Sequence, residues 1–110
     1  MRHTDTHIYQ RAMELIEITK LAMDHLPTGY GFLADQLRRA ASSIALNFAE
    51  GCGKLSPHDR RRYFLSARGS AYEVAAAFDV GVRFGAVSAE HCNLAKALCD
   101  EIAAMLTCFH

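Results

Sequence analysis

The chain has 110 residues, of which 51% are hydrophobic and 22% charged, and its formal net charge is zero. This length and composition are typical of one folded domain with its own core, and they exclude an intrinsically disordered chain. No apolar run approaches the roughly 20 residues of a membrane-spanning helix, and residues 1–6 do not resemble a signal peptide, so we expect a cytoplasmic protein without a membrane partner.

Charge is unevenly distributed along the chain, although the total is neutral. Residues 36–68 contain seven basic and two acidic side chains, whereas residues 1–35 and 69–110 carry net charges of −2 and −3. An asymmetry of this kind concerns binding partners and not the fold. The middle of the chain is therefore expected to supply a cationic surface.

Hydrophobic residues at three- and four-residue steps predict the first two helices. Helix one covers residues 5–25, and either Asp5 or Thr6 can serve as its N-cap. Helix two covers residues 32–50, and Gly51 is expected just beyond its C-terminus, where glycine commonly ends a helix.

Helix three has the clearest start, because Ser56 can act as N-cap and a proline follows at the first helical position. The helix is expected over residues 57–84, with Gly85 as its stop. Gly69 and Gly81 lie inside it. Each costs about 1 kcal/mol relative to alanine, which predicts a packing reason for both.

Helix four is expected over residues 88–107, with Ser88 at its start. No segment of the sequence shows the alternation of a strand over a useful length. Because short connections between consecutive helices favour antiparallel neighbours, we predict an all-α fold, an antiparallel up-down-up-down four-helix bundle that forms one domain over residues 1–110.

The four cysteines are predicted to be reduced thiols. Cys92 and Cys99 are seven residues apart, at helical spacing, and no Cys-x-x-Cys pair occurs. In a cytoplasmic protein such side chains act as small buried hydrophobes. We therefore expect neither a disulfide framework nor a metal site.

Two polar stripes distinguish helices two and three from ordinary amphipathic helices. The stripe of helix two consists of Gln36, Arg39, Ser43, Asn47 and Glu50, and that of helix three of Arg62, Ser66, Gly69, Ser70, Glu73 and Ala77. The stripes permit two interpretations. They are either two solvated faces, or a polar seam between helices or subunits in which the arginines and glutamates form ion pairs.

Two motifs within these helices carry a family resemblance. Residues 38–51 have the sequence RRAASSIALNFAEG, and residues 64–73 have the sequence FLSARGSAYE. In this order they resemble the signature of the 23S rRNA intervening-sequence protein family, and the resemblance extends over residues 8–106. It implies a bacterial four-helix bundle and a family in which homopentamers occur. That family is similar to the accessory variability protein of diversity-generating retroelements, which binds a reverse transcriptase and nucleic acid.

The resemblance and the charge pattern together predict a non-catalytic, homo-oligomeric binding protein, with the pentamer favoured. One hypothesis is that a basic patch binds RNA or DNA, because arginines and a helix N-terminus suit phosphate and a tyrosine can stack on a base. This patch consists of Lys54, Arg60, Arg61, Arg62 and Tyr63. The alternatives are a solvated basic helix start and a scaffold that binds a protein partner without a nucleic-acid role.

An enzyme is the least supported class. The sequence contains no nucleophile elbow, phosphate loop or Glu-x-x-His motif, and its six histidines lie mostly at helix ends or termini. We therefore expect no catalytic residues and no cofactor.

Overall fold

The computed structural model describes residues 2–109, so that the two ends of the expected domain, residues 1 and 110, lie outside the described residues. A short 3-10 helix (His3–Asp5) is followed by α1 (His7–Asp24), α2 (Gly31–Cys52), α3 (Pro57–Arg83) and α4 (Ala89–Cys108). No strand occurs among these residues, and none of the helices is long and apolar enough to cross a membrane. The prediction of an all-α fold with four helices is confirmed.

Neighbouring helices of the bundle run antiparallel. Each of the four helices packs against two others, and the cycle closes between α1 and α4. Since α1 runs opposite to α4, α4 opposite to α3, and α3 opposite to α2, the four helices alternate in direction. The contacts that show these directions are Arg11–Glu101 and His25–His91 between α1 and α4, Gln36–Glu73 and Gly51–Phe64 between α2 and α3, and Asp79–Lys96 and Phe64–Phe109 between α3 and α4.

The core lies along the common axis of the four helices and combines a few large side chains with many alanines. The largest fully buried side chains are Phe48, Phe78, Leu15, Leu37, Ile44, Ile102 and Val74. Burial of each contributes about 1.5–3 kcal/mol. At one end, the rings of Phe48, Phe64 and Phe109 lie 5.2–5.6 Å apart between centroids and close the core.

Three hydroxyl side chains cap the helices. Thr6, Ser56 and Ser88 each accept a hydrogen bond from the backbone N–H three residues further on, at the starts of α1, α3 and α4. Both serine starts were predicted, and Thr6 is the cap of the two candidates considered for α1. Gly85 follows the C-cap of α3 with φ of +73°, the left-handed conformation expected of a glycine stop.

Three glycines within the helices have different surroundings. The prediction for Gly51 was wrong, because α2 continues past it and a Cβ there would lie 2.6 Å from Cε1 of Phe64. At Gly81 a Cβ would lie 2.5 Å from Cγ2 of Val87, which confirms the predicted packing reason. At Gly69 a Cβ would meet nothing within 4 Å, so the chain itself supplies no packing reason there.

The cysteines are free thiols with unequal exposure. Cys92 and Cys99 are buried on α4 as predicted, whereas Cys52 is half-buried and Cys108 is exposed. Burial raises the pKa of the Cys99 thiol to about 12, with a further contribution from the charge of Asp100. The buried thiols are therefore neutral core side chains.

Candidate binding surfaces

A hydrogen-bonded cluster joins α2 to α3 where the two predicted polar stripes meet. The Asn47 amide donates to the Ser43 hydroxyl at 2.8 Å, and the hydroxyls of Ser43 and Ser70 are 2.9 Å apart. The Ser70 hydroxyl donates to the carbonyl of Ser66 at 3.1 Å. Because Ser70 has one hydroxyl proton, Ser43 is the donor of the bond between helices. We call these four residues the polar seam.

Among the described residues of one chain, the charged residues of the stripes do not form the ion pairs of the second interpretation. Arg39 donates to the side-chain oxygen of Gln36 at 3.1 Å, and the Gln36 amide in turn donates to the Glu73 carboxylate. Among the described residues, no ion pair links an arginine of one stripe to a glutamate of either. The neutral side-chain amide of Gln36 thus lies between the charges of Arg39 and Glu73, and both of its hydrogen bonds are exposed to water.

Two of the basic-patch residues, Lys54 and Arg62, form ion pairs with carboxylates that lie four and three residues before them in the chain. Lys54 Nζ lies 3.3 Å from the Glu50 carboxylate, and Arg62 Nε lies 3.9 Å from that of Asp59. Both cations also approach the ring of Tyr63, at 5.3 Å and 5.5 Å from its centroid. A base that stacks on Tyr63 would therefore compete with contacts that the ring already has.

The other two basic residues, Arg60 and Arg61, have no ion pair within the described part of the chain. They line a cavity of about 330 Å³ together with Pro57, Phe64 and Phe109. The Nε atom of Arg60 is buried without an acceptor. A buried donor left unsatisfied costs about 1–3 kcal/mol. We call Lys54, Arg60, Arg61 and Arg62 together the cationic end.

An apolar stripe on the solvent side of α3 was not identified from the sequence. Leu65, Gly69, Tyr72, Ala76 and Val80 follow one another at steps of four and three residues, and all five are exposed. The three large side chains are 45%, 56% and 42% exposed, in chain order. The sequence feature that was missed is this second series of residues at helical spacing, which lies on a different face of α3 from the buried residues. We call these five residues the outer stripe.

Exposed apolar surface is concentrated on the α2–α3 side of the bundle. Nine large hydrophobic side chains are exposed among the described residues, and α1 and α4 contribute one each. Of the other seven, Leu55 lies in the loop between α2 and α3, and six lie on α2, on α3 or at the C-cap of α3: Phe32, Leu46, Leu65, Tyr72, Val80 and Phe84. Single exposed leucines are ordinary, whereas a concentration of this kind marks an interaction surface.

Comparisons with known proteins agree with the fold described above. The family model described as "23S rRNA-intervening sequence protein" matches residues 4–108. The chain is also similar to the crystal structure of a protein with unknown function from the S23 ribosomal protein family of Bacteroides thetaiotaomicron VPI-5482. The TM-score is 0.81 at 19% identity, over 92% of this chain and 95% of that chain. None of the curated proteins matches the chain.

Proposed function

Because the chain belongs to the 23S rRNA-intervening sequence protein family, we propose that it is a non-catalytic cytoplasmic protein that assembles into a homo-oligomer and binds RNA. The observation that carries the proposal is the outer stripe of α3, which no other helix covers in the part of the chain that the structure describes. A second copy of the chain is its proposed occupant, and the family resemblance favours a pentamer. The cationic end then repeats around the assembly.

Gly69 supports self-association through the outer stripe. A glycine inside a helix costs about 1 kcal/mol relative to alanine, and no neighbour within the chain needs the space it leaves. The stripe places this gap between Leu65 and Tyr72, so a helix from another copy can approach the backbone closely there while packing on large side chains. The polar seam lies beside this surface and holds α3, which presents the stripe, against α2.

The mass of the protein in solution tests the assembly. We expect an oligomer for the wild-type protein, and a shift towards the monomer for Leu65→Glu, because the charge would be buried at the interface. Leu94→Glu on α4 is the matched control, since its leucine is exposed to a similar degree, 48% against 45%, outside the stripe. Light scattering coupled to size exclusion measures both. A wild-type monomer at micromolar concentration, or equal behaviour of the two variants, contradicts the proposal.

The RNA-binding part of the proposal depends on the cationic end. Arginines that contact phosphates release counterions, so the affinity should fall as salt rises. We expect Arg61→Gln to lower the slope of log affinity against log salt by about 1, whereas Arg83→Gln, at the far end of α3, leaves it unchanged. Filter binding of single-stranded RNA at several salt concentrations measures the slope. Absent or salt-independent binding contradicts this part.

A protein-binding scaffold is the second candidate, and one observation favours it. The rings of Tyr30, Phe32 and Phe84 lie 5.9–6.2 Å apart at the end of the bundle opposite the cationic end. Phe32 and Phe84 are 58% and 60% exposed, which is unusual for phenylalanine outside an interface. An intact oligomer that fails to bind RNA at any salt concentration would support this candidate over the first.

A further inference from the structure

The cavity beside Arg60 and Arg61 combines charge with an apolar floor. The arginines lie on the first turns of α3, and the rings of Phe64 and Phe109, 5.2 Å apart between centroids, bring α3 and the end of α4 together at the same cavity. The described residues that line it include no carboxylate. Among the described residues, the two positive charges therefore face a space without a counter-ion.

We infer that this cavity binds the phosphomonoester group of a nucleotide, either a free mononucleotide or the terminal nucleotide of an RNA strand. A guanidinium presents planar N–H donors that match phosphate oxygens, and two guanidiniums without an ion pair among the described residues line this cavity. A phosphomonoester carries a charge between about −1.5 and −2, which matches two unpaired arginines better than the single charge of an internal phosphodiester.

The apolar part of the cavity suits the rest of a nucleotide. Aromatic side chains accept the flat face of a base, which has no charge of its own. The volume of about 330 Å³ lies at the lower end of the range of about 300–1,000 Å³ for ligand pockets, so it holds one nucleotide and not a longer segment. The remaining strand would leave towards the surface that carries Lys54 and Arg62.

Arg68 shows that an unpaired Nε alone does not define such a site. Its Nε is also buried without an acceptor, but its guanidinium carbon lies 5.7 Å from the centroid of the Tyr72 ring, which already provides a favourable contact for the charge. Arg60 differs because it lines a cavity together with a second unpaired arginine. The combination of a cavity with two arginines that have no ion pair among the described residues is what distinguishes the proposed pocket.

Calorimetric titration with adenosine monophosphate, and with adenosine as the probe without phosphate, tests the pocket. We expect the monophosphate to bind and adenosine not to bind. Arg60→Gln and Arg61→Gln should each weaken binding about tenfold or more, because each removes a charge-assisted hydrogen bond to phosphate. Arg83→Gln is the control. It makes the same charge change at the far end of α3, outside the cationic end and outside the cavity.

Arg61 is exposed, so its variant keeps the test decisive if Arg60→Gln fails to fold. Equal binding of adenosine and its monophosphate, or an equal loss in Arg83→Gln, would overturn the inference. The RNA source rests on the proposed function and is tested separately, with one oligonucleotide that ends in a phosphate and the same oligonucleotide ending in hydroxyls. Binding of the mononucleotide without binding of either RNA supports the pocket and contradicts RNA binding. Binding of both RNAs equally, without binding of the mononucleotide, overturns the pocket and leaves RNA binding in place.

Discussion

Gly69 and Gly81 occupy the same helix, yet their replacement by alanine should have opposite effects. A methyl group at position 81 would collide with Val87, so we expect Gly81→Ala to lower the free energy of unfolding by about 1–3 kcal/mol. A methyl group at position 69 meets open space, so Gly69→Ala should raise that free energy by up to about 1 kcal/mol. Urea unfolding of dilute protein measures both. Destabilisation of similar size in the two variants would contradict the packing described for α3.

The buried thiol of Cys99 makes stability depend on alkaline pH. Its pKa is about 12 in the folded protein against 9.0 for an unperturbed thiol, so the folded state keeps a proton that the unfolded state loses in between. The resulting stability is fully present below pH 9.0 and falls as the pH rises towards about 12, by up to about 1.4 kcal/mol per pH unit.

Urea unfolding across this pH range should therefore show a steeper loss of stability in the wild-type protein than in Cys99→Ala. The side chain at position 108 is exposed, so Cys108→Ser provides the control and should follow the wild-type slope. The assignment fails if all three proteins lose stability at the same rate.

At the scale of the helices, the polar seam predicts that Ser43 and Ser70 act together. Their hydroxyls bond across α2 and α3, so a double-mutant cycle of Ser43→Ala and Ser70→Ala should give a coupling free energy of about 1 kcal/mol. Ser42→Ala is the control, because the Ser42 hydroxyl bonds to the Arg38 carbonyl of its own helix. Coupling of Ser42 to Ser70 as large as that of Ser43 would argue against a specific bond between the helices.

The starts of α3 and α4 were predicted from their capping serines, whereas the end of α2 was misplaced. Ser56 and Ser88 are caps in the structure, because a hydroxyl ahead of an apolar repeat satisfies a local requirement. Gly51 was misplaced because two different needs select glycine. Both a left-handed helix end and close packing against Phe64 require glycine, so the sequence does not distinguish the two. Packing against Phe64 is a contact between helices, which the local sequence does not reveal.

The cationic residues were identified from the sequence, but which of them form ion pairs and which line a cavity was not. The pairing of Lys54 with Glu50 follows from a spacing of four along the chain, so this neutralisation could have been recognised. The cavity at Arg60 and Arg61 could not, because Phe109 reaches it from the far end of the chain. Only the closed bundle brings these side chains together.

At the scale of the whole molecule, assembly and RNA affinity should be linked. If the outer stripe joins copies, each oligomer offers several cationic ends to one strand, and simultaneous contacts raise the apparent affinity. We expect Val80→Glu, which places a charge in the outer stripe far from the cationic end, to lower RNA affinity at least tenfold although it keeps every basic residue. Leu94→Glu should bind as the wild type does in the same filter assay. Unchanged affinity in a monomeric Val80→Glu protein would show that each bundle binds RNA alone.

Because the first and last helices meet at one cavity, the bundle does not depend on the order in which the helices follow one another along the chain. Residues near both ends line this cavity of about 420 Å³: Thr6, His7, Ile8, Met105, Cys108 and Phe109. Every helix contacts two neighbours in a closed cycle, so each pair of neighbouring helices can pack together whichever helix comes first in the chain. A circular permutant with a short linker across this cavity and new ends in the loop at 53–56 would keep every helix contact. The same bundle could thus be encoded with α3 as its first helix.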